Sequence, residues 1–72
     1  MIVYMVVNEL EYEYNLPERC QKIEHFKNYI LYLYKNLTFR NLRVSVIRDN
    51  TTIYPSNTDL LEENKTYYVS II

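Results

Sequence analysis

Apolar residues recur at spacings of three and four in one stretch of this chain, at Ile23, Phe26, Ile30, Leu33 and Leu37. That is the stripe of an amphipathic helix lying on a sheet, and it constrains the fold more than any other feature, because one helix covers one sheet face. Lys22, Glu24, Lys27, Asn28 and Lys35 fall largely off the stripe, while Tyr29, Tyr32 and Tyr34 widen it. A tyrosine ring can cover a core edge while its hydroxyl stays wet. Pro17 suits the entry to such a helix, which the spacing predicts over Arg19 to Asn36. No second amphipathic stripe is present, so a sandwich that needs two helices is excluded.

The rest of the chain alternates. Met1 to Val7 carries β-branched and aromatic residues on both faces, the pattern of a strand central in its sheet or covered on both sides. Asn8-Glu9 offers a tight turn, after which Leu10, Tyr12 and Tyr14 alternate with Glu11 and Glu13, one face against a core and a charged one in water. Beyond the helix, Leu42, Val44 and Val46 alternate with Arg43 and Ser45, and Asp49-Asn50 turns this third strand into a short one from Thr51 to Tyr54. The chain contains no glycine, so asparagine must supply the left-handed backbone at such turns. Residues 55–59 read as a loop, Leu60 and Leu61 as a single buried turn, and Thr66 to Ile71 as the last strand, with Tyr67, Val69 and Ile71 towards the helix.

The first and last strands are the most apolar, so both belong in the middle of the sheet, as parallel neighbours. The order β-β-α-β-β-β with that sheet is an α+β β-grasp: a mixed sheet of four to five strands with one amphipathic helix packed on one face. The 72 residues form a single domain, 1–72. A chain of this size buries roughly 60% of the surface it exposes when unfolded, so its core has to be efficient.

Charge and composition remove several classes of function. A formal net charge of -1 gives no general pull towards phosphate backbones or anionic membranes. The single cysteine, Cys20, cannot form an internal disulfide, and no paired Cys/His spacing exists for zinc. Phosphate cradles require glycine-rich turns. No metal or other cofactor is therefore expected. The apolar run MIVYMVV is too short for a signal peptide or a bilayer span, so an intracellular location and no membrane partner are expected.

Cys20 and His25 are the candidates for nucleophilic or base chemistry, but five residues apart on a helix they would sit about 140° apart in rotation and could not form a dyad. Glu9, Glu11 and Glu13 alternate along a strand's outer face, the placement of solvation and edge protection. The sequence points away from an enzyme, with no catalytic residue expected. Arg40, Arg43 and Arg48 lie among tyrosines, the interleaving that single-stranded RNA binders use, and an RNA-contacting small domain stands as an alternative reading. With the assumed register, Tyr4 and Val6, then Arg43, Ser45 and Ile47, then Tyr68 and Ser70 face away from the helix. An aromatic-aliphatic patch with an arginine at its edge has the composition of a protein-docking surface, which makes Tyr4, Val6, Arg43, Ser45, Tyr68 and Ser70 the candidate protein-binding residues.

Over nearly its whole length this arrangement resembles ubiquitin: a first hairpin, a helix with Ile23, Phe26 and Ile30 inward, a strand, a short turn-like segment and a final strand at Thr66 to Ile71. Ubiquitin-type modifiers end in a flexible tail with Gly-Gly, and this sequence stops at Ile72 with neither. The resemblance therefore implies a domain that docks rather than a modifier that is attached. Among such domains it is similar to the DWNN domain of RING-finger proteins related to retinoblastoma-binding protein 6 and of the pre-mRNA cleavage and polyadenylation machinery. Leu42 and Val44, then YPSNTDLLEENKTYYVSII, carry that likeness; Tyr54, Ser56 to Asp59, Leu60, Asn64 and Val69 look like the family's acidic loop, buried turn and last strand. Phe26-Lys27 and Ile30 fall where the family has a Leu-Lys pair and an Ile, and the family's glycines are missing. What the resemblance implies is a monomeric, nuclear, non-conjugated docking domain that holds a cleavage and polyadenylation subunit, without ligase chemistry of its own. A free-standing ubiquitin-like protein of an unrelated pathway, in the cytoplasm, is the other reading the same fold allows.

Overall fold

The computed structural model describes residues 1–35 and 41–72. Among these, the elements run β1 (Ile2–Val7), β2 (Leu10–Asn15), α1 (Ile23–Leu33), β3 (Leu42–Arg48), β4 (Thr51–Ile53) and β5 (Thr66–Ile71). They form one sheet in the order β2-β1-β5-β3-β4. The central pair β1 and β5 is parallel, and the other neighbours are antiparallel. The fold is a small α+β unit with the β-grasp arrangement that the two apolar strands required.

One face of the sheet and the helix stripe make the core. Val3 and Met5 of β1, Tyr67 and Val69 of β5, and Leu42, Val44 and Val46 of β3 meet Ile23, Phe26 and Ile30 of α1 in one buried cluster. Phe26 is fully buried, with its ring centroid 5.7 Å from that of Tyr67. The Tyr67 hydroxyl accepts the backbone N–H of Glu62 at 2.9 Å, so the ring lies in the core while its polar tip is satisfied at the core's edge.

Turn chemistry follows from the missing glycine. Both central residues of the β1–β2 turn, Asn8 and Glu9, have positive φ (51° and 67°), as do Asp49 and Asn50 of the β3–β4 turn (50° and 61°). Positive φ at both positions is what a type I′ hairpin needs for its twist to match the strands. Asn64, at φ 61°, makes a third left-handed bend before β5.

Several expectations are corrected at the ends of elements. The helix starts at Ile23 rather than Arg19, because Lys22 is extended (φ -119°, ψ 161°) and forms an antiparallel bridge with Leu60. The His25 imidazole then caps the helix: its Nδ1 accepts the N–H groups of Gln21 and Lys22, each at 3.2 Å. The last helical residue is Leu33, and the expected end at Asn36, with Leu37 of the stripe, lies outside the described residues. Leu10, Tyr12, Leu33, Leu60 and Ile71 were expected to face the core, yet all are exposed, Leu60 by 68%. For Leu10 and Ile71, at strand ends, the reason is reach: the helix of 11 residues spans about 16 Å, too short to roof a five-stranded sheet. Only Leu61 of the Leu60-Leu61 pair reaches the core. The fourth strand ends at Ile53, with Tyr54 just beyond it.

Candidate protein-docking face

The sheet face opposite the helix has no covering layer among the described residues. Strand parity decides which side chains share it. Val3 and Met5 point into the core, so Tyr4 and Val6 point out; Leu42, Val44 and Val46 point in, so Arg43, Ser45 and Ile47 point out; Tyr67 and Val69 point in, so Tyr68 and Ser70 point out. Register places them side by side: Val6 pairs with Tyr68 across β1 and β5, Tyr68 with Ser45 across β5 and β3, and Arg43 with Ser70. The structure thus brings Tyr4, Val6, Arg43, Ser45, Tyr68 and Ser70 onto one face, as the register implied.

Tyr4, Val6 and Ser45 are half-buried between their neighbours, while Tyr68 and Ile47 are more open, at 38% and 47%. The centre of the face is therefore aromatic and aliphatic, and partly held in place before anything docks. The two rims differ in charge. Glu11 and Glu13 pair with Val6 and Tyr4 and give the β2 side carboxylates. On the other side the Arg43 guanidinium lies over the Tyr54 ring, 5.4 Å from its centroid, which fixes a long side chain at the rim. Tyr54 was not among the candidate site residues, although its spacing from Thr52, which pairs with Ile47, continues the strand's parity onto this face.

The arginines of the RNA-contacting reading are not gathered. Arg43 is on the outer face, Arg48 belongs to the opposite parity and forms an ion pair with Glu62, and Arg40 lies outside the described residues. Cys20 is buried ahead of the helix rather than within it, and His25 spends its Nδ1 on the cap. Among the described residues no group of three His, Cys, Asp or Glu is placed to hold a metal, and no helix is long and apolar enough to cross a membrane.

Two phenols are perturbed, neither on the outer face. Burial, a hydrogen bond with Tyr34 and the neighbouring tyrosines push Tyr14 up from 10.0 to about 12. Burial also raises Tyr67, against the opposing pull of Arg48. Tyr14 packs edge-on against Tyr29 at 5.8 Å, which ties β2 to the helix. No family model matches the chain, and no curated protein matches it in sequence.

Proposed function

We propose that this chain is a non-conjugated ubiquitin-like docking domain, without catalytic chemistry, that holds a protein partner against the outer face of its sheet. The observation that carries the reading is the continuous row Val6, Tyr68 and Ser45 across three paired strands, with Tyr4 beside it and Arg43 at the rim. Such a face suits docking for physical reasons. Its anchors sit on paired backbone, so little freedom is lost when they are covered, and tyrosine combines a large apolar body with a hydroxyl that can bond a partner. Arg43, already ordered over Tyr54, supplies directed hydrogen bonds where the patch meets water.

The partner class follows from the likeness to DWNN domains: a subunit of the pre-mRNA cleavage and polyadenylation machinery, with a nuclear location. The test is capture from nuclear and cytoplasmic extract on the immobilised chain, with nuclease treatment and a Tyr4→Ala/Tyr68→Ala variant as controls, and bound proteins identified by mass spectrometry. The reading expects cleavage and polyadenylation subunits whose recovery depends on the two tyrosines and survives nuclease. Recovery of the same proteins by a folded double variant overturns the outer face as the docking site. Loss of recovery on nuclease treatment points instead to RNA.

A further inference from the structure

The two edges of the sheet are not alike. β4 has three residues and is followed at once by Tyr54 and Pro55, so it offers almost no template for another strand. β2 has six residues, contains neither proline nor lysine, and pairs with β1 alone among the described residues. The direction of its free groups can be derived. The N–H of Tyr4 donates to Lys65 at 3.0 Å and the carbonyl of Ile2 accepts from Asn64 at 2.7 Å, so even-numbered residues of β1 bond towards β5. Odd-numbered residues of β1 bond towards β2, through their partners Leu10, Tyr12 and Tyr14. The N–H and C=O groups of Glu11, Glu13 and Asn15 are then left pointing outward along the open edge.

The side chains along this edge are sorted by face. Glu11 and Glu13 stand on the outer side. On the helix side, Tyr12 and Tyr14 stack at 6.4 Å and Tyr14 meets Tyr29, a ledge of three rings that extends past the edge of the core, with exposed Leu10 at its end. A second copy of this chain is a poor occupant. Antiparallel pairing of two β2 strands about Tyr12 sets Glu11 of one opposite Glu13 of the other, twice, and like charges directly opposed are destabilising.

We propose that the β2 edge is a strand-addition site for an extended segment of another protein in which lysine or arginine alternates with apolar residues. The open backbone groups of Glu11 and Glu13 supply the ladder, the two carboxylates take the basic side chains, and the tyrosine ledge takes the apolar ones. The same carboxylates keep copies of this chain apart, so one charge pattern both guards the edge and selects its occupant. This inference does not rest on the outer face as a docking site.

The test uses three capped nine-residue peptides on the isotope-labelled chain: alternating lysine and valine, alternating glutamate and valine, and the lysine peptide N-methylated at alternate positions. With the lysine peptide, exchange of the Glu11 and Glu13 amides should slow at least about tenfold, because those N–H groups become bonded. At low salt its affinity should exceed that of the glutamate peptide by about tenfold, and the N-methylated peptide should not bind. A Glu11→Lys/Glu13→Lys variant, whose folding is checked by its amide spectrum, should reverse the preference. Equal binding of the lysine peptide to that variant, or no protection at Glu11 and Glu13, overturns the proposal. Protection of these two amides reports the edge alone, so its failure is distinct from failure of the outer-face reading.

Discussion

Glu9 is the position where a chain without glycine is most strained, and Glu9→Gly is expected to raise stability. Its φ of 67° puts a β-carbon in the left-handed region, which costs about 1–2 kcal/mol for an L-residue. Asparagine at Asn8 or Asn50 offsets part of that cost with local hydrogen bonds, but the longer glutamate side chain makes no such bond well. Against the relief stands the extra unfolded-chain entropy of glycine, about 0.5–1 kcal/mol. The difference is a net gain of roughly 0.5–1 kcal/mol, or about 2–8 °C in Tm for a domain of this size. Thermal and urea unfolding of the wild type, Glu9→Gly and Glu9→Ala measure it, since alanine removes the charge and keeps the β-carbon. Glycine should lie above both of the others. A glycine variant no more stable than the alanine one would refute the reasoning.

The core and the helix start give further expected outcomes. Tyr67→Phe removes the acceptor of the Glu62 N–H, a part-buried bond beside an exposed residue, and should cost about 0.5–1.5 kcal/mol in urea unfolding, with the helix content unchanged. His25→Ala removes the acceptor of the Gln21 and Lys22 N–H groups just ahead of α1 and should cost about 0.5–1.5 kcal/mol, with faster amide exchange at those two residues. Burial raises Tyr14 to about 12 and also raises Tyr67, so both phenols ionise more readily in the unfolded chain. Their contribution is whole below the ordinary tyrosine value of 10.0 and is lost as pH climbs from there towards about 12. Stability should fall over that window, and Tyr14→Phe should make the fall shallower; an unchanged slope would contradict the assignment.

The middle of this fold was legible in the sequence and its ends were not. Strand parity at Leu42, Val44 and Val46, the stripe at Ile23, Phe26 and Ile30, and the apolar character of β1 and β5 all report side chains deep in one core, where burial enforces the pattern. That was enough to order the sheet and to place all six candidate residues on its outer face. Leu10 and Ile71 obey the same alternation at the ends of their strands but sit past the reach of a short helix, and Leu60 stands next to Leu61 in a turn where only one of the two reaches the core, so pattern alone could not show them exposed. The helix start was missed because its signal is a histidine side chain reaching back to two backbone N–H groups, with Lys22 held extended by Leu60. No local rule reads a contact 38 residues away in the chain, from Lys22 to Leu60. The pairing of Arg43 with Tyr54 was hidden for the same reason, since it depends on where β4 lies.

The measurement that bears most directly on the docking reading is the affinity of a captured partner for the wild type, Tyr68→Ala and Tyr4→Ala/Tyr68→Ala, each at low and high salt. An apolar anchor at the centre of the face should cost at least about 1 kcal/mol on truncation, roughly fivefold in Kd, with more lost in the double variant and little dependence on salt. Unchanged affinity in the folded double variant would contradict docking through this face, and an affinity that falls steeply with salt would show that charge, not the tyrosine row, holds the partner.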